Sequence, residues 1–593
     1  MGARVACWTR GVRWACASAA VAALVACGGG KDDASGDAVG GAEIEKPATR
    51  AEAARFLTQA TFGPTDAEVD RVMSLGYGPW IDDQFSKPRA SHRLAWDAAD
   101  AALRAANPSG NGAGQDEVIN SFWKQAIAGD DALRQRVAYS LSQIFVVSMQ
   151  DGSVGNNTRG VADYLDMLGD KGLGNYRELL ESVSRHPIMG MYLSSMRNQK
   201  ADARTGRVPD ENYAREVMQL FSIGLVELNL DGSAKESAGQ PLETYDAADI
   251  AGLAKVFTGW SWNCPDWPDS GCFFGGSSGG VSDPDRAIKP MLGYPQYHSP
   301  EEKTFLGATI AAHSPGDPTG DLASALDTLA GHSNVGPFIG KQLIQRLVTS
   351  NPSPAYVAAV AAAFEDNGSG VRGDMKAVIK AVLMHPEART TSSTSGKLRE
   401  PVLKLSAFLR AFGFRSDTGS YRVGNTDNPG TQLGQTPLRS PSVFNFYRPG
   451  FVPPGTAAAA AQLTVPEMQI AHETTVAGYV NYMRDNIAQG VGQFNGTVNG
   501  VALNRRDLQA DLSAELVLAD QPPALLDRLN DKLMYGSMPA ALKSEIQGAI
   551  EKIVIPALNG TGSNQAQVDA ARRTRVNAAL LLTLASPEFQ TQK

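Results

Sequence analysis

The densest run of chemically capable side chains is Asp210-Glu211-Asn212-Tyr213-Ala214-Arg215-Glu216. On a helix, at about 100° per residue, Tyr213, Val217, Leu220, Phe221 and Gly224 share one face and Glu211, Arg215 and Gln219 the opposite one. Asn212 and Glu216 fall at the border between them. Asp210 stands where an acid caps free N–H groups and complements the helix dipole. Two readings fit. In one, Glu211 and Arg215 form an i,i+4 ion pair worth roughly a few tenths of a kcal/mol, and Glu216 bonds a neighbouring element. In the other, the segment walls a pocket in which Glu211 and Glu216 are the acid and base of glycoside cleavage. There Arg215, with Asp210 and Asn212 beside it, grips a carboxylate or sulfate on a glycan.

A second group gathers at Tyr297-His298 and Glu301-Glu302-Lys303. A loop histidine suits proton transfer near neutral pH, so His298 joins Glu211 and Glu216 as a catalytic candidate; a plain surface turn accounts for it equally well. Trp260 and Trp262 can stack on a sugar or fill the core. Arg346 lies within an apolar helical run and needs a buried partner, such as Glu216. Lys303, Arg346, Tyr447 and Trp260 complete the candidate ligand-binding set.

Several templates fail. Gly275-Gly276-Ser277-Ser278-Gly279 has the letters of a nucleophile elbow without a preceding strand. No phosphate-cradling loop, dinucleotide fingerprint or His-Glu-x-x-His occurs. The 7 histidines are scattered, so no metal site and no cofactor is expected. A net charge of −8 and the lack of a basic, aromatic-laced stretch speak against a nucleic-acid partner.

The elements that must position these residues are helical. Apolar spacing predicts helices over 51–62, 130–149, 176–185, 210–225, 246–258, 336–349, 354–366, 371–384 and 397–412, and late ones near 466–484, 505–518, 522–534, 538–556 and 565–585. Thr65 can cap a helix at 66, and Thr464 and Glu467 stand in capping-box spacing around Pro466. Val226–Leu230 before Asp231-Gly232 predicts a small hairpin. Residues 264–290 and 414–436 read as long loops. His186-Pro187, His385-Pro386 and Ser586-Pro587 each follow an apolar stretch and stop it. The fold class expected is mainly α: one large multi-helix domain with long loop insertions and a small β-hairpin.

The amino terminus carries Arg4, Arg10 and Arg13, then a small apolar run to Leu24-Val25-Ala26-Cys27. That run is shorter than the roughly 20 residues of a membrane span and fits a signal peptide. The sequence around Cys27 resembles the bacterial lipobox, which implies cleavage before Cys27 and lipidation of its thiol. Gly28 behind it, by bacterial sorting rules, implies the outer membrane. Residues 1–26 are read as the lipoprotein signal peptide, 27–48 as a Gly/Asp-rich flexible tether and 49–593 as the helical domain. Loss of three arginines and no acid takes the charge from −8 to −11. Cys264 and Cys272, in an oxidising compartment, read as a disulfide stapling a surface insertion; two thiols without a histidine do not complete a zinc site.

Ordered segments resemble one bacterial family, the domain of unknown function 1800 family. They run from ARFLTQATFGPTDAEVDRVMSLGYGPWIDDQF at 54–85 through DENYAREVMQLFSIGL at 210–225, LAKVFTGWSW at 253–262, YHSPEEKTFLG at 297–307 and GPFIGKQLIQRLVTSNPSP at 336–354. LREPVLKLSAFLRAFG at 398–413, SPSVFNFYRPGF at 440–451 and LLLTLASPEFQ at 580–590 follow. Where many members carry two histidines ahead of a phenylalanine, this chain has Ser142 and Ile144, so no role of those histidines carries over. The resemblance implies export and association with a second secreted, sulfatase-like family, hence work on envelope or extracellular polysaccharide. The expectation is a lipid-anchored envelope protein that binds or scaffolds a glycan or a secreted partner. The alternative is a polysaccharide hydrolase or lyase using paired carboxylates with Arg and His support.

Overall fold

A computed structural model describes residues 44–392, 395–498 and 501–593. Cys27 and the signal segment lie outside these residues. The fold is mainly α: the described residues form twenty-six α-helices, joined by small antiparallel strand pairs and one three-stranded sheet. No helix among them is long and apolar enough to cross a membrane.

Residues just before Thr49 pack onto the helices. Pro47 is buried and Tyr77 donates its N–H to the Glu45 carbonyl at 3.0 Å. Thr49 and Thr65 then cap helices Arg50–Ala60 and Asp66–Leu75 through their hydroxyls. Between them the chain crosses helix Pro401–Ala411 so closely that a Cβ on Gly63 (φ +126°) would lie 2.7 Å from Ala407 Cα. Only glycine permits both that backbone angle and that approach.

Helices 176–185 and 565–585 have the spacing-predicted limits. Others differ for tertiary reasons. The run at 130–149 forms a helix only over Ala132–Ser142. Beyond it the backbone is taken by distant partners: the Gln143 carbonyl accepts from Arg346 at 2.9 Å, that of Phe145 from Tyr164 at 2.8 Å, and Met149 N–H donates to Leu438 at 2.8 Å. Thr464 and Glu467 do not make a capping box. Pro466–Ile470 is a 3₁₀ turn, Glu467 is buried against Lys397, and Thr464 bonds Ser350 and Asn351.

The largest departure is 505–518. Leu508, Leu512 and Leu516 have helical spacing, yet Val501–Gln509 is a strand and only Ser513–Val517 is helical. It pairs antiparallel with Val491–Val498 and with Arg415–Ser416. Asp507 anchors the sheet, accepting from Ser416 Oγ, Asn495 Nδ2 and the N–H groups of Thr418 and Arg422. Long-range pairing overrides local period here. The hairpin foreseen at 226–232 exists as bridges Leu228–Ala234 and Val226–Glu243.

The three X-Pro steps end one helix and start the next. His186 and His385 accept the N–H of the residue two ahead through Nδ1, and Ser586 Oγ accepts that of Phe589. Each proline occupies the first helical position, where its missing N–H costs nothing. Cys264 and Cys272 are disulfide-bonded with Cα atoms 5.8 Å apart. The bridge does more than staple a surface insertion, because it is buried in a small apolar cluster with Phe273 and Tyr294 and ties Cys264 to a short helix, Ser270–Gly275, that contains Cys272.

Candidate functional site

The 210–216 segment becomes helix Asn212–Gln219. Asp210 Oδ1 accepts the Asn212 N–H, Asn198 clasps the Asp210 backbone on both sides, and Asn212 Nδ2 reaches the Leu193 carbonyl. Glu211 and Arg215 form the i,i+4 pair at 3.5 Å, both about half exposed. Glu216 is buried, its Oε2 has no hydrogen-bond partner, and burial raises its carboxyl above the ordinary range, with Arg215 opposing. The two carboxylates therefore occupy different environments, one in solvent and one inside.

His298 is not an open proton shuttle. It is fully buried, with Nδ1 2.7 Å from the Thr258 carbonyl and Nε2 2.8 Å from Asp321 Oδ2. Lys303, equally buried, reaches the same Asp321 oxygen at 2.7 Å and donates to the Ser299 and Glu301 carbonyls. Burial alone would raise the Asp321 carboxyl; hydrogen bonds from His298 and Lys303 outweigh it and hold the group below its ordinary range. Both ring nitrogens of His298 are engaged, so the group is a lock between the 298–303 segment and helix Pro318–Gly331. Trp260 is core, with Nε1 on the Val256 carbonyl and the Arg185 guanidinium 5.8 Å from its ring.

Arg346 sits elsewhere, in the floor of a cavity of about 720 Å³. On helix Val335–Leu347, residues Phe338, Lys341, Gln342 and Gln345 follow i, i+3, i+4, i+7 and present one face to this cavity. Ile339, Leu343 and Leu347 pack into the core. Gln143 enters where helix Ala132–Ser142 stops short, and Gln219 and Leu220 come from the end of the 212–219 helix. Gly224 (φ +73°) closes the adjoining turn, and a Cβ there would lie 2.8 Å from the Phe338 ring. Phe444 and Arg448, whose guanidinium stacks 4.5 Å from the Phe444 ring, complete the wall.

Among the described residues the lining holds Lys341, Arg346 and Arg448, the side-chain amides of five glutamines and one asparagine, and no carboxylate. Four buried polar atoms on lining residues have no hydrogen-bond partner: Gln143 Oε1, Gln342 Nε2, Arg346 Nε and Ser350 Oγ. Buried polar groups are as a rule satisfied, so such a concentration marks a place built for something other than packing. Neither His298 nor Glu211 nor Glu216 lines this cavity.

Sequence reasoning missed the carboxylate behind the floor. Glu400 Oε2 accepts from Tyr139 Oη (3.0 Å), Gln143 Nε2 (2.7 Å), Gln435 Nε2 (2.6 Å) and Tyr447 Oη (3.0 Å). Burial, with Glu400 adding to it, raises both tyrosine hydroxyls well above their usual range, so they remain donors. The Arg346 carbonyl accepts from Arg136 at 2.7 Å and from Lys397 at 2.8 Å. Arg346 itself bonds Gln143 and Gln342, not Glu216. The one available signal was Glu400 directly before Pro401, which reads as an ordinary exposed cap. Instead it is buried because four donors converge on it.

Fold and site together define a mainly helical protein with a cationic, amide-rich cavity set over a buried polar network. The chain belongs to the family described as protein of unknown function (DUF1800), whose model matches residues 55–591. No curated protein and no solved structure matches it.

Proposed function

We propose that this protein is a lipid-anchored envelope protein that binds, without cleaving, a segment of acidic glycan in the cavity floored by Arg346. The carrying observation is the lining: three cations, six side-chain amides and two aromatic rings, with no carboxylate, in a chain of net charge −8. Arginine forks suit the carboxylate or sulfate of such a polymer, amides suit its hydroxyls, and Phe338 and Phe444 suit its apolar ring faces. Hydrolysis by paired carboxylates gains no support there, because Glu211 is solvent-facing and ion-paired while Glu216 is buried. A buried disulfide is compatible with export, and Cys27 is the anchor in this reading. A secreted sulfatase-like partner would act on the same class of polymer.

Affinity electrophoresis against polyuronate, sulfated and neutral glycans tests the binding. Retardation by acidic polymers, weakened in Lys341→Ala/Arg448→Ala, is expected. Equal retardation by neutral glycans, or none by any, rejects the reading. The anchor is tested separately: Cys27→Ser should lose fatty-acid label and membrane fractionation.

A further inference from the structure

A second cavity, of about 600 Å³, adjoins the first across Ser350, Asn351 and Thr464. Its charged, buried lining is unbalanced. Lys397, Arg399, Lys404 and Glu467 are each at least nine-tenths buried there. Glu467 is already paired with Lys397 at 2.9 Å. Among the described residues that leaves two cations without an anion. Arg399 has its Nε and Nη1 buried and without any hydrogen-bond partner, and its guanidinium lies 5.0 Å from the Phe589 ring. Lys404 Nζ lies 5.0 Å from the Tyr479 ring and forms no ion pair. Ring faces compensate a buried charge only in part, and an uncompensated buried cation is costly.

We infer that this second cavity is an oxyanion site, in which a sulfate, phosphate or carboxylate group is held between the Arg399 guanidinium and the Lys404 ammonium. The guanidinium keeps N–H donors at Nε and Nη1 that no protein group among the described residues uses, and each can donate to an oxygen of such a group. Lys404 supplies a point charge from the first turn of helix Pro401–Ala411. Thr464 and Ser350, common to both cavities, allow the anion to be a free ion or a substituent on a longer ligand. The site does not depend on the glycan reading of the first cavity.

The ammonium gives the site its own reporter. Lys404 faces Arg399, Glu467 and the Tyr479 ring, with Lys397 behind Glu467. Burial first, and Arg399 second, bring it down to about 8. A bound anion opposes both effects, so the lysine becomes less nucleophilic when the site fills, and anion affinity falls as pH rises past that value.

The test is competitive acetylation of the folded protein at pH 8, read for each lysine by mass spectrometry, with sodium sulfate, inorganic phosphate or a sulfated oligosaccharide added at constant ionic strength. Lys404 should be protected severalfold while exposed Lys341 is unaffected by the inorganic ions. Protection by inorganic ions assigns a free-ion site; protection by the oligosaccharide alone assigns a ligand-borne group. Losing a charge-assisted hydrogen-bond pair costs about tenfold in affinity, so Arg399→Gln should shift the protecting concentration upward by that factor. Lys341→Ala/Arg448→Ala should leave inorganic-ion protection intact. Lys404 reactivity unchanged by all three additives in the wild-type protein overturns the inference, as does protection that is identical in Arg399→Gln.

Discussion

Two of the buried groups of charged side chains among the described residues are built from similar residues and closed to different degrees. In the group of His298, Lys303 and Asp321, both ring nitrogens and the lysine ammonium meet acceptors at 2.7–2.9 Å. In the group around Arg346, the carbonyls and one oxygen of Glu400 are saturated, but four polar atoms of the cavity lining are left over. Where the protein consumes its own hydrogen-bonding capacity, the cluster is a lock; where it leaves capacity beside a cavity, the cluster is a candidate site. Residue type alone does not separate the two.

The comparison is sharpest at Asp321. Asp321→Ala leaves a buried histidine and lysine without their acceptor and should lose about 3–5 kcal/mol of unfolding free energy in urea titration. Its folded carboxyl is lower than the unfolded one, so its stabilisation is complete above the ordinary carboxylate range and is lost as pH falls through the depressed value. The wild-type protein should therefore lose part of its stability in acid that Asp321→Asn does not. If Asp321→Ala unfolds at the wild-type denaturant concentration, the group is not a lock.

Arg448→Ala should act in the opposite manner. Arg448 is exposed on the cavity wall, so the unfolding transition should stay within about 0.5 kcal/mol of wild type. Acidic-glycan affinity should nevertheless drop about tenfold, the size of one charge-assisted hydrogen bond. A variant that melts early with unaltered binding would reverse the assignment of the two groups.

Tyr447→Phe removes one of the four donors to Glu400 Oε2. A loss of about 1 kcal/mol is expected in thermal unfolding, with three donors remaining. The smallest effect belongs to Glu216. Its carboxyl is raised by burial, so the folded chain binds its proton more tightly than the unfolded one, and stability declines as pH rises through that interval. Glu216→Gln should abolish this decline, gain under about 1 kcal/mol at neutral pH and leave glycan binding unchanged. Loss of binding in that variant would return Glu216 to the site.

Much of the helical scaffold was legible because its causes are local. Thr65 caps its helix from the preceding residue, and the 176–185 and 565–585 periods needed no distant partner. The Glu211–Arg215 pair is an i,i+4 contact and was equally readable. Strand 501–509 was not, since its leucine spacing is helical and its pairing partners lie on other segments. Nor was the fate of His298, whose acceptors are 40 and 23 residues away in the chain.

The sequence by itself determined the family, the mainly α class, the helix starts at 176, 354, 522 and 565 and the pairing of Cys264 with Cys272, because short-range sterics, capping and a nearby thiol fix those. Tertiary structure alone decided which charges became a lock and which a site. That outcome depends on whether segments as distant as Gln143, Arg346, Glu400 and Tyr447 converge with all their hydrogen bonds satisfied or with some left beside a cavity. Desolvation makes that difference worth several kcal/mol per charged group, and no local pattern encodes it.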